Sequence, residues 1–130
     1  MFKKARIKAL LYGVDTELLR VMKYGAANPN ATHKAIVDMI EFMAEAIRLG
    51  SEPTQIAEVI HKRTAQLGVS YDIGLSALNL VLSQFLSDGD SPRHTRELNV
   101  SYEQLTGKKL SESNWWISKT ASNIISTFGG

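Results

Sequence analysis

The chain has 130 residues, a hydrophobic fraction of 44%, a charged fraction of 22% and no cysteine. These values exclude a disordered, collagen-like or disulfide-stapled protein, and the lack of cysteine excludes thiol nucleophiles, iron–sulfur clusters and cysteine-based zinc sites. Residues 1–30 carry six basic and two acidic side chains. Residues 31–90 carry four basic and eight acidic side chains, and residues 91–130 carry five basic and three acidic ones. Basic ends of this kind suit an acidic protein partner or nucleic acid.

Targeting signals are missing from the sequence. Its longest apolar run is well short of the roughly 18 residues that a transmembrane helix needs. The basic N-terminus is no secretory signal, because Arg6 and Lys8 interrupt its apolar positions. We therefore expect a cytoplasmic protein with no membrane partner.

The first half of the chain has helical periodicity. An amphipathic helix from Phe2 ends near Gly13, and Asp15 or Thr16 then caps a second helix over 16–24. After a loop over 25–30, Asn30 or Thr32 caps a third helix, which runs to residue 49 and has its apolar residues at helical spacing. The fourth helix, over 52–67, follows a Gly-Ser cap and has a proline in its first turn. The fifth, over 71–87, is apolar nearly all round, which predicts a core helix packed against the third.

The segment over 87–92 is the clearest break in the chain, because it is rich in Ser, Asp, Gly and Pro. Residues 97–102 are the one stretch for which the sequence allows a short extended segment. A short helix over 101–106 and a last helix over 112–127 follow. The prediction is an all-α fold: a compact bundle of about five helices with a C-terminal helical pair. It forms a single domain over 1–130, with a core bundle over 1–87 and a helical extension over 93–128.

Catalytic and metal signatures are weak. Glu58 and His61 form an E-x-x-H pair on one helical face, but di-iron bundles use two such motifs plus two more glutamates. We interpret this pair as solvated, and His33 and His94 as surface histidines. No nucleophile turn or phosphate-binding loop is present. The sequence therefore predicts no enzyme, no catalytic residue, no metal and no cofactor.

Two segments resemble helix-turn-helix pieces. The Leu-Gly-Val-Ser within 64–73 is similar to the turn of helix-turn-helix regulators, but Arg63 and Gly74 stand where that pattern wants aliphatic residues. Its second helix is also too apolar to read bases. The segment 101–115 has a short helix, a Gly turn and a Ser-capped helix in the right order. The residues that would contact nucleic acid there are Arg93, Arg96, Lys108, Lys109, Ser113 and Asn123.

Trp115 and Trp116 point about 100° apart on a helix, so one of them is partly exposed. An exposed Trp beside Asn114 and Lys119 has the composition of an interface anchor. Our first hypothesis is a small non-enzymatic regulatory or inhibitory protein that presents helical surface to a protein partner. The alternative is a nucleic-acid-binding regulator that uses residues 93–123. The third hypothesis is an enzyme that uses His61 with Glu58, or His33, in a helical cleft. A homodimer is left open.

Overall fold

The computed structural model describes residues 2–67, 72–86 and 91–106. These residues form five α-helices and no strand, as the sequence predicts for an all-α bundle. In chain order the helices are α1 (Phe2–Tyr24), α2 (Pro29–Arg48), α3 (Pro53–Leu67), α4 (Asp72–Leu86) and α5 (Ser91–Thr106). The predicted last helix over 112–127 lies outside the described residues.

The core is built around α2. Along this helix Ile36, Met39, Ile40 and Met43 are fully buried, at the i, i+3, i+4, i+7 spacing that gives one apolar face. Each other helix adds buried apolar residues to the same cluster, and examples are Val14, Leu18, Val21, Ile56, Ile60, Ala77, Val81 and Leu98. The predicted core role of the α4 segment is confirmed by its buried Ile73, Leu78 and Leu80.

The predicted break near Gly13 is wrong, because α1 runs without interruption from Phe2 to Tyr24. A single glycine inside a helix costs only about 1 kcal/mol relative to alanine, and tertiary packing overrides that cost. Gly13 lies against the ring of Phe42, so closely that an added Cβ would be 2.9 Å from it. Asp15 is not a cap and instead pairs with Arg63 of α3.

The turn between α1 and α2 reverses the chain at residues 25–28. Gly25 has a φ of +42°, a left-handed conformation that favours glycine. The buried Thr32 hydroxyl donates to the Gly25 carbonyl at 3.0 Å. The N-cap is Asn28, whose side chain accepts from the amide of Ala31 at 3.1 Å, and not Asn30 or Thr32 as predicted. The proline that follows Asn28 occupies the first position of the helix, so the cap is the residue immediately before that proline.

The extended piece predicted over 97–102 is also wrong, and the predicted helix start at Ser101 is ten residues too late. All of this stretch belongs to α5. The helix places His94, Leu98, Ser101 and Tyr102 on one buried face, at i, i+4, i+7 and i+8. Two of these four residues are polar, so the apolar periodicity of α5 is hard to see in the sequence. Ser101 contacts Ser76 of α4 through hydroxyls 3.2 Å apart.

Candidate protein-binding groove

Most of the residues predicted to bind a partner lie outside the described part of the chain. This holds for Asn114, Trp115, Trp116 and Lys119 of the protein-binding hypothesis. It also holds for Lys108, Lys109, Ser113 and Asn123 of the nucleic-acid hypothesis. The Leu-Gly-Val-Ser turn within 64–73 falls partly outside it as well. These assignments stay predictions.

Arg93 and Arg96 are the two predicted nucleic-acid contacts that the structure describes, and both are exposed on α5. The guanidinium of Arg93 lies 3.6 Å from the carboxylate of Glu97. Glu103 is exposed on the same helix, so the two arginines stand with two carboxylates. A phosphate-binding surface needs a clear excess of cations, which this part of α5 does not have.

The E-x-x-H pair is exposed on α3, because both Glu58 and His61 face outward. Two glutamates of α2 are candidates for further carboxylate ligands, but Glu41 is exposed and Glu45 pairs with Arg6 of α1. Within residues 2–67, 72–86 and 91–106, no three acidic or histidine side chains are grouped as a metal site would require.

The other two histidines are not simple surface residues. His94 is buried, contrary to prediction, and its Nδ1 lies 3.3 Å from Glu97. His33 is half-buried, and its ring meets the edge of Tyr102 with centroids 5.9 Å apart. Burial lowers the pKa of His33, because the charged imidazolium loses solvation there. The contact between His33 and Tyr102 therefore helps to join α5 to α2.

An opening lies between α1 and α3, and we call it the α1–α3 groove. It consists of two adjoining cavities of about 650 and 460 Å³. Both cavities share Leu11 of α1 with Val59, Lys62 and Gln66 of α3. Further lining side chains come from Lys8, Tyr12, Asp15, Gln55, Glu58, His61, Arg63 and Ala65.

The floor of the groove is apolar and its rim is polar. Leu11 and Val59 are half-buried and pack against the core from this side. Tyr12 stands on the rim with 73% of its surface exposed. An apolar floor inside a polar rim, with an exposed aromatic beside it, is the usual make-up of a protein-binding site.

One end of the groove is closed by an ion pair between the two helices. Arg63 donates two hydrogen bonds to the Asp15 carboxylate, at 2.7 and 2.6 Å. These hydrogen bonds raise the pKa of Arg63 above its ordinary value, because they favour the charged guanidinium. The paired geometry fixes the spacing of α1 and α3 at this point.

Ion pairing is uneven over the described surface. Arg6, Arg20, Lys34, Arg48, Arg63 and Arg93 each have an acidic partner. Within the described ranges, Lys8 and Lys62 have no such partner, and they stand on the two walls of the groove. Lys4 is exposed one helical turn before Lys8. The groove therefore presents lysines whose charge is not neutralised within the described surface.

A second opening lies between α4 and α5 and has a volume of about 440 Å³. It is smaller and more polar, since it is lined by Ser76, Asn79, Ser101 and Gln104 beside Leu75 and Val100. Arg93 and Arg96 both border it, but so does Glu97. Leu75 is the half-buried apolar residue of this opening, whereas the α1–α3 groove has two such residues, Leu11 and Val59, and the exposed Tyr12 beside them.

Sequence reasoning missed the groove. The predicted helix end at Gly13 separated Lys8 and Tyr12 from Asp15, although all three residues lie on the one helix α1. In an uninterrupted helix, Lys8, Tyr12 and Asp15 follow the i, i+4, i+7 spacing of one face. That spacing was the available signal.

None of the five described helices combines the length and the apolar character needed to cross a bilayer. Comparison with protein-family models, curated proteins and solved structures finds no match to this chain. The fold class is therefore stated from the helices themselves: an all-α bundle with an open groove between α1 and α3.

Proposed function

We propose that this chain is a small non-enzymatic binding protein, which regulates or inhibits a protein partner by presenting helical surface. The α1–α3 groove is the part of that surface which the described residues supply. The observation that carries the proposal is the combination of a half-buried apolar floor, Leu11 and Val59, with the exposed Tyr12 on its rim. Buried anchors of this kind provide most of the binding energy in protein interfaces.

A protein partner explains this make-up better than a nucleic acid. An apolar floor has nothing to offer a phosphate backbone, whereas a partner side chain buried there is stabilised by about 25 cal/mol per Å² of apolar surface removed from water. The carboxylate of Glu58 on the same rim repels phosphate. On α5, the exposed Arg93 and Arg96 are accompanied by the exposed Glu97 and Glu103. Because these carboxylates offset the positive charge, this part of α5 does not support the nucleic-acid alternative.

Site-specific photo-cross-linking in the native cells tests the proposal. A Tyr12→p-benzoylphenylalanine variant places the reactive group at the groove, and a Val100→p-benzoylphenylalanine variant places it on an exposed part of α5. We expect an adduct with one protein at position 12, resistant to nuclease and absent at position 100. A nuclease-sensitive adduct, equal adducts at both positions, or no adduct would refute the proposal.

A filled groove provides the matched control for this experiment. Ala65 is exposed and lines the groove, whereas Thr54 is exposed on the same helix and does not. The Ala65→Trp substitution should remove the adduct at position 12 because the indole occupies the space of the partner. Thr54→Trp adds the same side chain elsewhere on α3 and should leave the adduct unchanged.

A further inference from the structure

We infer that the occupant of the α1–α3 groove is an acidic amphipathic helix of the partner protein. This inference rests on the proposed function, because it names the chemistry of the segment that the groove would take. Its basis is the placement of Lys8 and Lys62, which have no acidic partner among the described residues, on the two walls of an apolar channel between two helices.

The shape of the groove selects a helix of about three turns. On α3 the lining residues extend from Gln55 to Gln66, and on α1 they extend from Lys8 to Asp15. The α3 span covers eleven residue steps, which is about 16 Å at the helical rise of 1.5 Å per residue, and the α1 span covers seven steps, which is about 10 Å. A helix lying along two helices buries one apolar stripe between them, which is the helix-in-groove mode of recognition.

The charges select an acidic segment. Lys8 stands on one wall and Lys62 on the other, while Asp15 and Arg63 neutralise each other at one end. The carboxylate of Glu58 is the one acidic group of the lining that is not held in an ion pair within the described residues. A partner with Asp or Glu on both flanks of its apolar stripe therefore meets opposite charge on both walls. Such complementarity raises the association rate and rejects basic competitors.

Display selection from a library of peptides of about twelve residues tests this inference directly, since that length spans the groove. The purified full chain is the target. We expect the enriched peptides to carry apolar residues at i, i+3 or i+4, and i+7, with Asp or Glu on both sides. Enrichment without acidic residues, or no enrichment at all, would overturn the inference.

Charge-reversal variants locate the binding. Lys8→Glu and Lys62→Glu should each reduce the affinity for the enriched peptide at least about fivefold, because each replaces an attraction with a repulsion at close range. Lys3→Glu makes the same change on the opposite side of α1, away from the groove, and should change the affinity less than about twofold. Equal losses for Lys3→Glu and Lys8→Glu would show a general charge effect and contradict a defined site.

The aromatic rim is tested by a second matched pair. Tyr12→Ala should reduce the affinity for the enriched peptide about fivefold or more, because it removes an exposed aromatic contact. Phe2 is also exposed on α1 but does not line the groove, so Phe2→Ala should have little effect. Both side chains are exposed in the free protein, so circular dichroism should show the same helix content in both variants.

Two polyanion probes distinguish an acidic protein helix from other negatively charged partners. A duplex of about 20 base pairs and vesicles that contain phosphatidylserine are titrated against the same variants. If either probe binds more tightly than the enriched peptide and depends on Lys8 and Lys62, the groove takes phosphate-rich surfaces and the inference fails. A failure of this kind is separable from failure of the proposed function, because the cross-link at position 12 reports whether the native partner is a protein of any charge.

Discussion

Gly74 shows how a single absent side chain sets the distance between two helices. It lies buried on α4, where an added Cβ would be 2.8 Å from Cγ2 of Ile60 on α3. Ile60 is itself fully buried and β-branched, so its side chain has almost no freedom to move away. The close approach of α3 and α4 therefore requires glycine at position 74.

The Gly74→Ala substitution should destabilise the fold. Overpacking a tight core costs about 1–3 kcal/mol, and the better helix propensity of alanine returns about 1 kcal/mol. A contact of 2.8 Å forces Ile60 or the helix to shift, which places the cost in the upper part of that range. We therefore expect the free energy of unfolding to fall by about 1–2 kcal/mol in urea denaturation. A variant that is as stable as the natural chain would show that α3 and α4 are farther apart than described here.

Gly13→Ala is the matched comparison inside α1. Its added Cβ would lie 2.9 Å from the ring of Phe42, which is only half-buried and can turn toward solvent. The gain in helix propensity, about 1 kcal/mol, should then offset the contact. We expect little change in stability, so the two glycines should respond differently to the same substitution.

His33 gives the fold a dependence on pH. Since burial lowers its pKa below the ordinary 6.5, the unfolded chain binds a proton more readily than the folded one. Stability therefore falls as the pH drops through 6.5 toward the lower pKa of the folded state. His33→Gln should reduce this loss between about pH 7.5 and pH 5.5, measured as urea midpoints. An unchanged slope would contradict this role, and His61→Gln is the control at an exposed position.

At the scale of elements, sequence patterns find helices more reliably than they find helix ends. The strong apolar stripe of α2 and the nearly apolar α4 are visible in the sequence, because burial there demands many large apolar residues. The continuity of α1 through Gly13 and the start of α5 at Ser91 are not visible. Both depend on tertiary contacts, with Phe42 in the first case and with the α4 surface in the second.

The ion pair between Asp15 and Arg63 holds α1 and α3 together at one end of the groove. Each side chain is 24% exposed, so water screens the attraction only in part. A double-mutant cycle with Asp15→Asn and Arg63→Met should give a coupling energy of about 1 kcal/mol in favour of the pair. The same cycle on Lys34 and Asp38, an exposed pair within α2, should give a smaller coupling.

A coupling near zero for Asp15 and Arg63 would mean that packing alone sets the spacing of α1 and α3. The two helices would then be held by Leu11 and Val59, and the rim of the groove would be less rigid than the paired geometry implies. Arg63→Lys separates charge from geometry, because lysine keeps the charge and loses the two-pronged hydrogen bond. We expect it to retain only part of the coupling.

Across the whole molecule, the sequence predicts where along the chain the charges lie, but it does not predict which of them form ion pairs. The excess of basic residues in the first 30 positions is plain from the residue counts. Which of those cations are neutralised depends on contacts between distant helices, such as Arg6 with Glu45. The groove likewise joins residues about 50 positions apart, Lys8 and Lys62, which no local pattern relates.

Binding in the α1–α3 groove is the central claim, and amide chemical-shift mapping of the full chain tests it most directly. The isotope-labelled protein is titrated with the acidic peptide that display selection enriches. We predict that the shift changes concentrate on residues 8–15 and 55–66. Changes concentrated instead on 91–106, or on the C-terminal residues around Trp115 and Trp116, would contradict the groove and place the binding surface elsewhere on the chain.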